Sequence, residues 1–210
     1  VRFGNVIGSS GSVLPIFIIL ASIFNKGNIN LSEDNKSPIN PSINKKVVAL
    51  TSLSADLIAN RFKKFEQNFS SEMVRPEAIK LAADGVPEGH TAFLLTPYVD
   101  SNNEDFGHPM ISKEDMTANI TTYFGADIPV HIHAIGGGAV RMSLDAIEAA
   151  RTTTGNESVR ATIAHMDFVH PDDIPRFKAL NVTAQTSIQW AARDPSYFNI
   201  GSFVGIDKVE

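Results

Sequence analysis

The fold is decided by the stretch Val130-His131-Ile132-His133-Ala134-Ile135-Gly136, which Thr162-Ile163-Ala164-His165-Met166 follows about thirty residues later. Each stretch has the pattern of a short buried strand that ends in a histidine and leads into a helix. The carboxyl ends of parallel strands meet at one edge of an α/β sheet, and ligands gather at that edge. We therefore expect His133 and His165 to form two walls of one site.

The first of these strands, predicted over residues 128–133, alternates apolar residues with His131 and His133. Alternation places the apolar side chains on the face that packs against helices and both imidazoles on the other face. A single strand-end histidine is more often a hydrogen-bonded core residue than a metal ligand. The second strand-end histidine, His165, favours a ligand cluster instead, because neutral imidazoles bind zinc and similar ions well.

An upstream lysine adds a third member to this cluster. Lys80 lies within the apolar stretch 78–83, which reads as a buried strand ending at Asp84-Gly85. An unpaired charge in such a strand is costly. Carbon dioxide can convert a lysine amine to a carbamate, which is an anionic oxygen ligand. That conversion would remove the cost of burying Lys80.

Strands and helices alternate along the rest of the chain. Strands are predicted at 78–83, 128–133, 159–165 and 182–188, and helices at 112–125, 139–152 and 172–180. Ser112 is expected to cap the first helix. The second helix has the helical spacing Val140, Leu144, Ile147 and Arg151, and the third is expected to have Asp172 as its N-cap and Ile174 facing inward. This order of strands and helices predicts an α/β fold with a parallel sheet covered by helices. Four strands are about half of an eight-stranded (β/α)8, or TIM-type, barrel. The long loop 86–111 is expected to be a lid or a substrate loop.

Composition divides the chain into three parts. Residues 1–24 read as a strand, a glycine-serine turn and an apolar helix, and residues 25–46 form an asparagine-rich stretch without an apolar period. Such a stretch is typical of a linker. The regular pattern begins at residue 47 and continues to 210, with a helical face at Ile58, Phe62, Phe65 and Phe69 that we expect to pack on the barrel. The start without methionine suggests a fragment.

The totals exclude several classes of function. The 210 residues carry a net charge of -5, which argues against a nucleic-acid partner. The longest apolar run, residues 13–24, is too short to span a bilayer and lacks a signal-peptide pattern. The absence of cysteine excludes disulfides and thiolate metal sites and fits a cytoplasmic protein.

The segment 1–17, VRFGNVIGSSGSVLPIF, closely resembles the nucleotide-sugar 4,6-dehydratases, which are extended short-chain dehydrogenases. The resemblance implies a piece of a Rossmann fold beside NAD(P), with Asn5 and Ser12 on the substrate side. The family's glycine fingerprint and its Tyr-x-x-x-Lys pair have no match in this chain. A dehydratase reaction is therefore not expected from this segment.

Residues 66–205 resemble the YtcJ-like branch of the amidohydrolase superfamily, amidohydrolase family 3. Three motifs carry the likeness: 79–92 (IKLAADGVPEGHTA), 130–136 (VHIHAIG) and 163–166 (IAHM). The resemblance implies a barrel with one or two divalent metals, zinc being the expected ion, that hydrolyses amide or other C–N bonds of a small molecule. It implies that the metal ligands are Lys80, as a carbamate, His133 and His165. It places Asp84, Thr91 and His131 on the substrate side.

The chain departs from the family pattern at three places. The family's His-x-His pair has no match, because no histidine precedes His90, and its final aspartate, the general base, has none either. Gly136-Gly137-Gly138 stands where the family has Gly-Asp-Arg; this turn could cradle a phosphate, but a tight strand-to-helix turn is favoured. Three hypotheses remain open: an incomplete amidohydrolase, a dehydratase fragment that binds NAD(P), and a non-catalytic chimeric chain. An open half-barrel also predicts self-association through its sheet edge.

Overall fold

The computed structural model describes residues 54–71, 76–102, 104–187, 193 and 195–205. The chain divides into two compact units, Val1–Pro76 and Glu77–Glu210. The predicted N-terminal segment and the linker lie outside the described residues.

The described part of the first unit is one helix, α1, Ala55–Phe69. The Ser54 side chain caps its first turn by accepting from the backbone N–H of Leu57 at 3.4 Å. The predicted helix is therefore confirmed. Phe65 and Phe69 stack with ring centroids 4.6 Å apart, and Phe69 remains exposed. The packing of this helix against a barrel stays a prediction.

The second unit contains a four-stranded parallel sheet. Its strands follow chain order, β1-β2-β3-β4, and all neighbours pair in parallel. The bounds are β1 Ile79–Ala82, β2 Val130–Ala134, β3 Ala161–His165 and β4 Val182–Thr186. The α/β class and the partial TIM-type barrel predicted from the sequence are confirmed.

Helices connect the strands and cover one face of the sheet. They are α2 Lys113–Gly125, α3 Gly137–Thr154, α4 Ile174–Ala179 and α5 Pro195–Val204, with 3-10 turns at Pro87–Gly89 and Pro171–Asp173. Ser112 caps α2, as predicted, because its hydroxyl accepts from the N–H of Asp115 at 3.0 Å. Apolar residues from β2, β3, α2 and α3 form the core: Val130, Ile132, Ile163, Ile120, Phe124, Leu144 and Ile147.

The start of α4 differs from the prediction. Asp172 does not cap it; the His170 ring instead accepts from the N–H of Asp172 at 3.2 Å and opens the 3-10 turn. Ile174, expected to face inward, is 59% exposed. The physical reason is length, since a helix of six residues makes fewer than two turns and covers little of the sheet.

Lys80 also differs from the prediction, because its side chain is exposed rather than buried. It lies in register with His131, Thr162 and Thr183 on the face of the sheet opposite the helices. Within the described residues that face is open, whereas in a closed barrel it would be the interior. Partial burial still lowers the pKa of the Lys80 amine.

None of the helices in the described part of the chain combines the length and the apolar composition that a transmembrane span requires.

Candidate metal centre

The two strand-end histidines meet at the carboxyl edge of the sheet. The ring centroids of His133 and His165 are 4.7 Å apart, with the ring planes inclined by 60°. The structure therefore brings these two predicted site residues together; that they line one site stays a prediction.

Backbone conformation brings the second ring into position. His165 pairs in register with Ala134, which faces the helices, so regular alternation would carry its side chain away from His133. His165 and Met166 instead have φ of 79° and 56°. Such conformations cost about 1–3 kcal/mol each and cluster at functional sites. The end of β3 is thus strained where its histidine meets the ring of His133.

The electrostatics of the open face favour neutral imidazoles. Burial, followed by the charges of His133, Lys80 and His131, lowers the pKa of His165 to about 4. Burial, Lys80 and Arg160 likewise lower the pKa of His131. Neutral imidazoles carry a lone pair at one nitrogen, which is the form that binds metal ions.

His133 has a defined partner on one side of its ring. Its Nε2 lies 3.0 Å from the carbonyl oxygen of Gly85 and 3.8 Å from Oδ1 of Asp84. A carbonyl oxygen can only accept, so Nε2 donates and Nδ1 retains the lone pair. Metal-binding histidines commonly donate their other N–H to a backbone carbonyl in this way.

Asp84 joins three segments of the site. Its carboxylate accepts from the backbone N–H groups of Phe93 at 2.9 Å, Ile135 at 3.0 Å and Gly136 at 2.8 Å. Burial raises the pKa of Asp84, and these donors together with His133 oppose the rise. The sequence places Asp84 on the substrate side; in the structure it is 1% exposed and bonded to the backbone.

Thr91 closes the turn that carries the Gly85 carbonyl. Its hydroxyl donates to the carbonyl of Val86 at 3.1 Å and accepts from the N–H of Val86 at 2.9 Å. Its own carbonyl accepts from the N–H of Gly85 at 2.9 Å. Its predicted contact with a substrate stays a prediction.

His131 precedes His133 by two residues on β2 and pairs in register with Lys80 of β1. It is half-buried, and its Nε2 has no hydrogen-bond partner in the part of the chain that the structure describes. Its assignment to the substrate side stays a prediction.

The three glycines after β2 form a tight turn, as the sequence analysis favoured. The N–H groups of Gly138 and Ala139 donate to the carbonyl of Phe93 at 2.9 and 3.2 Å, and that of Gly136 donates to Asp84. A methyl group at Gly136 would overlap the Phe93 carbonyl. Because these donors already have partners, the turn does not offer a phosphate cradle.

Sequence reasoning missed Asp167, which follows the β3 histidine by two residues. Burial, followed by the charges of Glu88 and Asp84, raises its pKa to about 6. Its place just after a strand end was the available signal, since functional side chains of barrels concentrate there.

The side chains present at the site determine which metal ion it could bind. Among the described residues, no group of three or more His, Cys, Asp or Glu side chains is arranged to hold a metal ion. The site offers two facing imidazoles and a lysine amine whose charge acts on His165 and His131. Two neutral imidazoles and an oxygen ligand on the lysine fit zinc chemistry.

His90 holds together the loop that follows β1. Its Nδ1 lies 2.9 Å from Asp105 and its Nε2 lies 3.2 Å from Asp100, while its ring stacks on Tyr98 at 4.2 Å. Phe203 of α5 contacts the ring edge at 5.7 Å. Both ring nitrogens face carboxylates, so the protonated imidazolium satisfies both. The sequence analysis had assigned no specific role to His90.

This contact makes the stability of the loop depend on pH. The carboxylates raise the pKa of His90 above its ordinary value of 6.5, and the N–H of Gly107 with His90 lowers the pKa of Asp105 below 3.8. The stabilisation is therefore present between about pH 4 and pH 6.5. It is lost as pH rises through the raised pKa of His90 and as pH falls through the lowered pKa of Asp105. We expect His90→Gln to lower the melting temperature at mildly acidic pH and to have little effect at alkaline pH.

Thermal unfolding of the wild type and the variant across pH checks this expectation. The lowered pKa values of His131 and His165 make the stability of both proteins rise with pH, which is opposite to the effect of His90. The quantity to plot is therefore the difference in melting temperature between wild type and His90→Gln at each pH. His108→Gln, at an exposed position, is the comparison variant. The charge of His108 also acts on Asp105 but is the smallest of the effects on that carboxylate, so this variant should show a smaller pH-dependent difference than His90→Gln. A difference in melting temperature, wild type minus His90→Gln, that increases toward alkaline pH would contradict this role of His90.

Comparison with known proteins identifies the family. Residues 29–201 match the family model described as "Amidohydrolase family", and residues 1–37 match the model described as "Polysaccharide biosynthesis protein". The chain is 31% identical over 114 residues to the exoenzymes regulatory protein AepA of Pectobacterium carotovorum, covering 53% of this chain and 23% of that protein. It is 27% identical over 114 residues to the protein LONG AFTER FAR-RED 3 of Arabidopsis thaliana, covering 54% and 19%.

Two solved structures share the fold. Both are described as uncharacterized metal-dependent hydrolases, one from Pyrococcus furiosus (TM-score 0.58, 27% identity, 71% of this chain and 31% of that one) and one from Pyrococcus horikoshii (0.57, 25%, 71% and 30%). The chain thus spans less than a third of the length of the relatives it matches. The family model covers most of its residues, with the paired histidines of β2 and β3 inside the match, and the chain belongs to the amidohydrolase family.

Proposed function

We propose that this chain supplies part of the metal centre of a metal-dependent hydrolase that cleaves amide or other C–N bonds of a small-molecule substrate. The proposed ligands are His133, His165 and Lys80 as its carbamate, and the proposed ion is zinc, at one or two positions. The observation that carries the proposal is the approach of the His133 and His165 rings to 4.7 Å at the ends of adjacent parallel strands. The two metal-dependent hydrolases of similar fold support it.

A bound divalent metal supplies Lewis acidity, which polarises a carbonyl and lowers the pKa of water. The chain's own residues prepare for it. The Gly85 carbonyl holds the N–H of His133 and leaves its Nδ1 available, and burial keeps His165 neutral. The lowered pKa of Lys80 increases the fraction of free amine, the form that reacts with carbon dioxide to give a carbamate and a proton.

Zinc stoichiometry tests the proposal. We expect the purified full chain to retain zinc after dialysis, and the double variant His133→Ala/His165→Ala to lose at least about nine-tenths of it, since each lost ligand weakens the site. Elemental analysis of both proteins gives the metal per chain.

A matched control removes two histidines elsewhere. His108 is exposed, and the His170 side chain is 43% exposed. His108→Ala/His170→Ala should retain the wild-type zinc content. Equal, near-zero occupancy in wild type and in the His133/His165 variant would reject the metal site and favour a non-catalytic chain.

A second candidate function rests on the match of residues 1–37 to a polysaccharide biosynthesis model. It would make the chain a nucleotide-sugar dehydratase fragment that binds NAD(P). The glycine fingerprint and the Tyr-x-x-x-Lys pair of that family have no match in this sequence. We therefore expect no change in NADPH fluorescence on addition of the chain, and saturable binding would revive this candidate.

A further inference from the structure

The segment that follows β1 runs directly beside the end of β2. The N–H of Ala83 donates to the carbonyl of His133 at 2.8 Å, so the backbone of His133 is fixed to this segment. The next residue, Asp84, then bonds the N–H groups of Ile135 and Gly136, which lie two and three residues beyond His133. The backbone of His133 is thus held just before and just after its strand ends.

The His133 side chain is held by the same segment. The Gly85 carbonyl lies 3.0 Å from Nε2, and Oδ1 of Asp84 lies 3.8 Å from the same nitrogen. Both oxygens lie on the Nε2 side of the ring. A proton on Nε2 is attracted to both, whereas a lone pair there would face a carbonyl dipole and a carboxylate charge.

We infer that Asp84 is a positioning residue for His133, which keeps the proton on Nε2 and presents Nδ1 to a metal ion. Asp84 does so in two ways: its charge favours the proton on the near nitrogen, and its hydrogen bonds fix the backbone on which the ring is mounted. The inference deepens the proposed function: the tautomer of His133 is a property of the metal-free protein, and its use in presenting Nδ1 to a metal ion rests on the proposed function.

A merely structural role for Asp84 is the alternative reading. A carboxylate that accepts from Ile135 and Gly136 stabilises the start of α3 in the same way as a helix cap. A structural role predicts that loss of the carboxylate lowers stability without changing the tautomer of His133. The positioning role and the structural role of Asp84 therefore predict different NMR signals for the ring nitrogens of His133 in an Asp84 variant.

The test records the imidazole nitrogens of the metal-free, 15N-labelled full chain by long-range 1H–15N correlation at mildly alkaline pH. Loss of signals in His133→Gln assigns the pair that belongs to His133. In wild type we expect a protonated, pyrrole-type Nε2 and an unprotonated, pyridine-type Nδ1. In Asp84→Asn, which keeps the size but removes the charge, we expect both signals to move toward the average of two exchanging tautomers.

Gly138→Ala is the matched structural control. A methyl group there would lie 2.9 Å from the ring and the carbonyl of Phe93, whose N–H is one of the donors to Asp84. It therefore disturbs the start of α3 and one hydrogen bond of Asp84, while the charge of Asp84 and the Gly85 carbonyl remain. We expect this variant to unfold at a lower temperature with an unchanged His133 pattern. Asp84→Ser is the second variant if Asp84→Asn does not fold.

Three outcomes would overturn the inference: a protonated Nδ1 in wild type, a wild-type pattern in the folded Asp84 variant, or the same change in Gly138→Ala as in the Asp84 variant. Zinc titration separates this failure from failure of the proposed function. If the inference holds, the zinc dissociation constant rises about 10–100-fold in Asp84→Asn. If wild type binds no zinc while the tautomer pattern is as expected, the proposed function fails and the positioning of His133 stands.

Discussion

Replacement of Arg151 by methionine is expected to lower the free energy of unfolding by about 3–5 kcal/mol, because each of the four hydrogen bonds that its side chain makes contributes about 1 kcal/mol. Arg151 is 2% exposed near the end of α3, and its guanidinium carbon lies 5.1 Å from the centre of the Phe124 ring. Its N–H groups donate to four backbone carbonyls at 2.9–3.3 Å, those of Asn156, Val159, Leu180 and Asn181.

The four carbonyls explain the size of this effect. They belong to the turn that precedes β3 and to the turn that precedes β4, so one side chain ties α3 to both strands. Methionine fills much of the same volume but removes all four donors. Only Val159 among the four acceptor residues is buried, so its unpaired carbonyl carries the largest single cost, about 1–3 kcal/mol.

Urea unfolding of Arg151→Met and Arg160→Met measures the effect against a control. Arg160 is 52% exposed and makes one ion pair with Glu77 at 2.9 Å, so its loss should cost less than about 1 kcal/mol. Similar losses in the two variants would show that the carbonyl network contributes little.

The second large effect is expected at Gly107, where substitution by alanine should cost about 2–5 kcal/mol in total. Gly107 has φ of 68°, a left-handed conformation that disfavours any side chain. An added methyl group would also overlap the backbone carbonyl of Ala92, which cannot move as a flexible side chain would.

Gly155 provides a matched control because it has nearly the same backbone conformation. Its φ is 67°, and an added methyl group meets nothing within 4 Å. Gly155→Ala should therefore show the conformational cost alone, about 1–2 kcal/mol. The free energies of unfolding of both variants give the steric contribution by difference, and equal values would contradict the close approach of Gly107 to Ala92.

Features that depend on local periodicity could be predicted from the sequence. The alternation around His131 and His133 gave β2 within two residues, and the helical spacing that ended at Arg151 gave α3 and its buried arginine. The Ser112 cap depends on an interaction over three residues and was also predicted. These signals lie within a few residues of the features they specify.

Features that depend on distant contacts could not be predicted in this way. The Asp84 carboxylate bonds residues more than fifty positions away, and no local pattern encodes such a contact. The positive φ of His165 arises at a strand end without glycine, where composition gives no warning. The exposure of Lys80 depends on what covers its face of the sheet, which a strand pattern does not specify.

The central claim is that His133 and His165 bind the same metal ion. Zinc titration of the 15N-labelled full chain, followed at the imidazole nitrogens of both residues, tests it most directly. We predict that Nδ1 of His133 and one nitrogen of His165 shift together and saturate at the same zinc concentration. A shift of only one histidine, or different saturation points for the two, would contradict the claim.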